Sequence, residues 1–164
     1  MSNITTLKNG TLYHPSIMDT GKVYVADNVI DFAEVLTAKG STIASSDTIE
    51  CIVVPIGTMI IAAGLQTIAV DDATTLTLDL GFTGGDVDEF VDGYDQAEAL
   101  AGAYSAQLDT SPINFVIGST ADTIDLLFAT LTGTLTVGKV RVWAILADIS
   151  GSNTRTAGIA AVGS

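Results

Sequence analysis

Residues 74–93 read TTLTLDLGFTGGDVDEFVDG, and the change of pattern at Gly81 decides the fold class. From Thr74 to Leu80 the side chains alternate, with Leu76, Leu78 and Leu80 on one face and Thr75, Thr77 and Asp79 on the other. A period of two with one apolar face predicts a half-buried β-strand. Gly81, Gly84 and Gly85 then break the ladder, and Asp86, Asp88, Glu89 and Asp92 crowd four carboxylates into seven residues. Like charges at that density stay in water or share a cation.

The same alternation spreads in both directions. Upstream, Ile52 to Val70 is uncharged and nearly long enough to cross a bilayer as a helix. Pro55, Gly57, Gly64 and Gln66, the β-branched bias and the lack of flanking bases argue instead for two buried strands joined by a turn at Pro55 to Gly57. Downstream, Ile113, Phe115 and Ile117, then Ile124, Leu126 and Phe128, mark further strands. The longest run, Leu135 to Ile149, sets Val140, Val142, Ala144 and Leu146 against a mixed face of Lys139, Arg141, Trp143 and Ile145. Such a mixed face reads either as an ordinary outer sheet surface or as one covered by a partner, and Trp and Arg are the residues that interfaces favour. Eight or so short strands without βαβ alternation predict an all-β jelly roll or β-sandwich.

Several segments read differently. Asp27 to Lys39 supports two phases: Val29, Phe32, Ala33 and Leu36 fall at helical spacing behind an Asp27 cap, whereas Ile30 and Phe32 fit a strand, and the β-rich context favours the strand. Residues 81–111 read as one long excursion between strands, with a helical turn or two at Gln96 to Ala103. Residues 1–20 form an N-terminal arm, residues 21–150 the sandwich domain with its first strand at Lys22 to Ala26, and residues 151–164 a flexible Gly/Ser/Ala/Thr tail.

Composition narrows the function. The chain has 164 residues, enough for one domain with a real core. Nineteen acids against six bases give a net charge of −13, which argues against nucleic acid as a partner. Charged residues are only 15% of the chain, 48% is hydrophobic and the mean hydropathy is positive. So apolar a composition leaves little charged surface for a free monomer and fits a subunit that buries area against other subunits. The first ten residues, MSNITTLKNG, lack the basic and apolar regions of a signal peptide. Cys51 stands alone in an apolar run and reads as a small buried hydrophobe, in keeping with assembly in a reducing compartment.

Catalytic signatures are missing. The single His14 lies in the arm, so no Ser-His or Cys-His pair is predicted, and no phosphate-binding loop, nucleophile elbow or zinc-protease motif occurs. Asp79, Asp86, Asp88, Glu89, Asp92 and Asp95 supply carboxylates for glycoside hydrolysis, but aromatics are only 6%, too few for a sugar cleft. The sequence therefore predicts no enzyme. Asp86, Asp88 and Asp92 remain candidate ligands for Ca²⁺, in a loop that does not follow the EF-hand order. A solvated acidic loop or a polar subunit contact accounts for them as well.

Three stretches together carry a resemblance. DTIECIVVPIGTMI from Asp47 to Ile60, TTLTLDLG from Thr74 to Gly81, and ADTIDLLFATLTGTLTVGKVRVWA from Ala121 to Ala144 resemble the small jelly-roll virion proteins of tailed bacteriophages that decorate or cement the head. The likeness spans roughly residues 22–149 and departs from the simplest members in the 81–111 excursion. It implies a capsid decoration protein, a homotrimer bound to the major capsid protein on the virion exterior, assembled in the host cytoplasm without a cofactor, a membrane or nucleic acid. On that reading Leu7 to Tyr13 of the arm, and Arg141 with Trp143, make the subunit or shell contacts. The competing expectation is a receptor- or carbohydrate-binding virion module that uses the acidic loop with Ca²⁺.

Overall fold

The computed structural model describes residues 3–4, 23–82, 85–105, 115–117 and 120–149. Along the chain these form β1 (Asn3–Ile4), β2 (Val23–Asp31), helix α1 (Phe32–Lys39), β3 (Thr48–Val54), β4 (Thr58–Ala69), β5 (Thr75–Gly81), β6 (Val91–Asp95), β7 (Phe115–Val116), β8 (Asp122–Thr132) and β9 (Lys139–Asp148). One sheet has the order β1-β3-β8-β5-β6 and the other β2-β9-β4-β7.

The pairing explains the architecture. β2 pairs with β9, β3 with β8, β4 with β7 and β5 with β6, all antiparallel. The chain is thus one long hairpin, with β5 and β6 at its tip, rolled up so that successive pairs alternate between two sheets. That is a jelly roll, and closure of the roll lets each sheet cover the apolar face of the other. The stretch from Thr74 to Gly93 is the tip about which the rest is wrapped.

The core follows the alternation in the sequence. Leu76, Leu78 and Leu80 of β5, Ile124, Leu126 and Phe128 of β8, and Val140, Val142, Ala144 and Leu146 of β9 are all buried in one cluster. Cys51 is buried with them, at a bulge in β3 where the register against β8 shifts. Burial pushes its thiol far above the usual range, which leaves it inert. The apolar run from Ile52 to Val70 forms the end of β3, the Pro55–Gly57 turn and β4; among the described residues no helix is long and apolar enough to cross a membrane.

Four local expectations are corrected. Residues 27–39 are neither all strand nor all helix: β2 continues to Asp31, and α1 begins at Phe32. The cap is Asp31 rather than Asp27, with its carboxylate accepting from the Ala33 N–H at 3.0 Å, and Gly40 ends the helix at φ 67° with its N–H donating to Leu36. Phe32 meets Phe128 edge to face at 5.6 Å and pins this helix to the core. The excursion after Gly81 contains a strand, because β6 returns along β5 with Leu78 opposite Tyr94 and Leu80 opposite Val91. Gln96 to Ala103 forms turns, without helix. The last strand begins at Lys139, since Gly138 at φ 116° breaks the run from Leu135.

Candidate interaction surface

The outer face of the four-stranded sheet is built row by row from its register. Val25, Ile145 and Ala62 form one row across β2, β9 and β4; Asp27, Trp143 and Gly64 the next; Val29, Arg141 and Gln66 the third. Tyr104 continues the third row through an antiparallel bridge to Gln66. Because side chains on a strand alternate, burial of Val140, Val142 and Ala144 within the sandwich forces Arg141, Trp143 and Ile145 outward. The result is a shallow groove of about 440 Å³ lined by Val25, Asp27, Gln66, Tyr104, Arg141 and Trp143 together with Ile145.

The floor of this groove depends on a missing side chain. A Cβ on Gly64 would come within 2.7 Å of Trp143 Cζ2 and 3.1 Å of Ser105 Oγ, so only glycine lets the indole settle against β4. Trp143 Nε1 is covered and has no hydrogen-bond acceptor among the described residues. Arg141 donates from a terminal nitrogen to Gln66 Oε1 at 3.1 Å, and its Nε makes an ionic contact with Asp27 at 3.3 Å. Lys139 pairs with Asp31 at 2.7 Å, which holds the Asp31 carboxyl below its ordinary range. The charges on the face are therefore neutralised in place, and what is left outward is largely apolar.

The two lateral edges of this sheet differ. On the β4 side, β7 covers Met59 and Ile60, and the segment from Gly102 to Ser105 covers Leu65 to Thr67 through Ser105 N–H to Leu65 at 2.9 Å, Thr67 N–H to Ala103 at 2.8 Å and Gly102 N–H to Thr67 at 2.7 Å. Buried Gln96 reinforces that side, accepting from the Thr67 hydroxyl at 2.8 Å and donating to the Ala69 carbonyl at 3.3 Å, with the Tyr94 hydroxyl 2.7 Å from Thr67 Oγ1. On the other side β2 pairs only with β9 among the described residues.

The acidic hairpin tip is organised from beneath. Phe82 and Phe90 pack edge to face at 5.3 Å, and a Cβ on Gly81 would strike the Asp86 carbonyl at 2.2 Å, so Gly81 is what allows the loop to close. Asp79 keeps its place on the face opposite Leu78 and Leu80 yet is covered there, its Oδ1 accepting from the Gly93 N–H of β6 at 2.7 Å. Burial nonetheless raises its carboxyl above the ordinary range. Asp88 is pushed up to about 6, first by a hydrogen bond with the Asp86 carboxyl and then by desolvation and the Asp86 charge.

The structure brings Arg141 and Trp143 together in one groove and places Asp86 beside Asp88, with Asp92 near enough to act on both Asp79 and Asp88 through its charge. Among the described residues no three His, Cys, Asp or Glu side chains converge in a metal-binding group. Leu7, Tyr13 and His14 lie outside the described residues. Sequence reasoning missed Tyr104, Gln66 and Gly64, which join the groove only through pairing across distant strands.

No protein-family model matches this chain, and no curated protein sequence matches it. Its fold is similar to that of two solved structures. A chain in the capsid of Ralstonia phage GP4 aligns with a TM-score of 0.66 at 16% identity, covering 90% of this chain and 98% of that one. A chain in the cyanophage Pam1 capsid asymmetric unit aligns with a TM-score of 0.59 at 20% identity, covering 87% and 96%.

Proposed function

We propose that this chain is a structural virion protein that decorates and stabilises a bacteriophage capsid as a homotrimer. The observation that carries this reading is the match of the whole jelly roll, nearly end to end in both directions, to chains found in two phage capsids. The groove around Trp143 supports it independently, since an apolar, internally charge-neutral sheet face on a strongly acidic protein is suited to contact with another subunit. The mechanism is adhesive. Each contact bridging neighbouring shell subunits adds area that must be exposed before the shell opens, and binding through three copies multiplies weak contacts.

In this role the partners are sister copies and the major capsid protein, the location is the outer surface of the head, and no catalytic step is involved. The acidic remainder of the surface keeps particles apart by mutual repulsion. Light scattering followed by co-sedimentation tests the proposal: the purified chain has a mass of about 50 kDa, three times 16.8 kDa, and pellets with capsids. A monomer that stays in the supernatant overturns it. Melting with and without EDTA separates this reading from a Ca-dependent receptor- or carbohydrate-binding module, which would lose several degrees on chelation.

A further inference from the structure

Among the described residues β2 is an edge strand without the usual protection. Its nine residues pair with β9 in unbroken register from Val23–Ala147 to Asp31–Lys139, whereas the long pairings of β3, β4 and β5 all carry register shifts. It contains no Pro and no Lys. Native sheets blunt open edges with bulges, prolines, lysines or a covering segment, because a flat apolar edge recruits another strand. The hydrogen-bond phase identifies which groups are open. Phe32 N–H donates to the Gly138 carbonyl at 3.0 Å, directly opposite in register, so the even-numbered residues bond to β9. The N–H and C=O of Val23, Val25, Asp27 and Val29 therefore point away from β9, and the same residues turn their side chains outward, with Val23 and Val25 more than 60% exposed.

Charge says what fits there. All three bases among the described residues are paired within the chain: Lys39 with Asp47, Lys139 with Asp31, Arg141 with Asp27. Residues 23–149 hold those three bases and eighteen acids, a net charge of −15. Residues 150–164, SGSNTRTAGIAAVGS, contain one base, no acid and no Pro, so every residue of that segment can donate to a ladder. Laid antiparallel to β2 with Arg155 opposite Asp27, it sets Ala157 opposite Val25 and Ile159 opposite Val23, apolar on apolar, and puts its one base beside an Asp27 carboxylate that is half exposed next to Arg141.

That register requires a second copy. Ala147 lies opposite Val23, so Ile149, the last described residue, lies beyond the Val23 end of β2. In that register Asn153 falls opposite Val29, about 20 Å from the Val23 end at roughly 3.3 Å per residue, whereas the four residue steps from Ile149 to Asn153 span at most about 13 Å. We propose that the open edge of β2 is completed by residues 153–159 of another copy of this chain, added as an antiparallel strand with Arg155 beside Asp27. This rests on the homo-oligomeric reading above and specifies its contact.

Cysteine pairs in the full chain test it. Val25→Cys and Ala157→Cys are placed in separate chains, co-expressed and oxidised, so that any bond between them joins two copies; buried Cys51 stays inert. The expected result is a disulfide-linked pair of chains, formed about tenfold faster than with Val25→Cys and Asn153→Cys, whose positions are four residues out of register and beyond disulfide reach. Equal rates or no linkage overturns the proposal. Co-sedimentation of the same samples with capsids keeps the two readings apart. Capsid binding without linkage sinks the strand exchange alone, and linkage without capsid binding sinks the capsid role alone.

Discussion

Trp143 rests against Gly64 so closely that a single added carbon at position 64 would lie 2.7 Å from the indole. The pair spans β9 and β4 and forms the floor of the outer groove, and Ser105 closes it from the side. Gly64→Ala is therefore an overpacking change, since it must displace the ring or part the strands. A loss of about 1–3 kcal/mol is expected. Trp143 is the only Trp in the chain, so its fluorescence reports the displacement directly while a urea titration gives the stability. An unchanged emission maximum with unchanged midpoint would mean that the ring does not sit on Gly64.

Trp143→Ala removes the largest outward apolar group of the groove and leaves the buried face of β9 intact. Interface anchors of this kind contribute about 2 kcal/mol or more, so self-association or capsid binding weakens about thirtyfold, with circular dichroism unchanged. Leu100→Ala, on an exposed loop outside the groove, serves as the control and leaves binding intact. Equal effects from the two substitutions would remove the groove from the account.

Gln96 is fully buried and tied to Thr67 and Ala69 by hydrogen bonds from a loop that follows the other sheet. Gln96→Leu keeps the volume but removes both the bond from the Thr67 hydroxyl, which is left with Tyr94 alone, and the bond to the Ala69 carbonyl. The cost is about 1–3 kcal/mol, seen as a lower urea midpoint with an unchanged slope.

Asp88 gives a pH signature. Its carboxyl titrates near 6 in the fold and near 3.8 when unfolded, so the folded protein holds this proton more tightly. The stabilising effect is complete below about pH 4 and is lost as pH rises through 6, where the two ionised carboxyls of Asp86 and Asp88 repel. Asp88→Asn should flatten that fall and gain up to about 1 kcal/mol at neutral pH, the modest size reflecting solvent screening at a partly exposed site. Urea midpoints at about pH 4 and about pH 7 decide the matter. A variant that is less stable than the parent at neutral pH contradicts the shared proton.

How much of this was legible beforehand depends on the length scale of the signal. The strands of β3, β4, β5 and β8 announce themselves by alternation, because one or both faces are buried throughout. The split at Asp31 was illegible to a period count, since Ile30 belongs to a strand phase and Val35 to a helical one, and only the cap geometry at Asp31 marks the change. β6 was hidden because VDGYD is short, polar and on an edge, held by pairing with β5 rather than by its own pattern. The covering of Asp79 has no sign in the alternation, which gives its face but not that Gly93 reaches back to it. Arg141 and Trp143 were found as a surface because residue type and alternation are local, while their partners Gly64, Gln66 and Tyr104 come from strands far away in sequence.

The most direct measurement is the temperature at which purified capsids open, recorded with and without the saturating chain. Capsid decoration predicts that opening moves upward when the chain is bound and falls back toward the bare value at Trp143→Ala concentrations that the parent chain saturates but the weakened variant does not. An opening temperature that stays the same with the chain bound at full occupancy contradicts the stabilising role, and a chain that never associates with the shell contradicts the account as a whole.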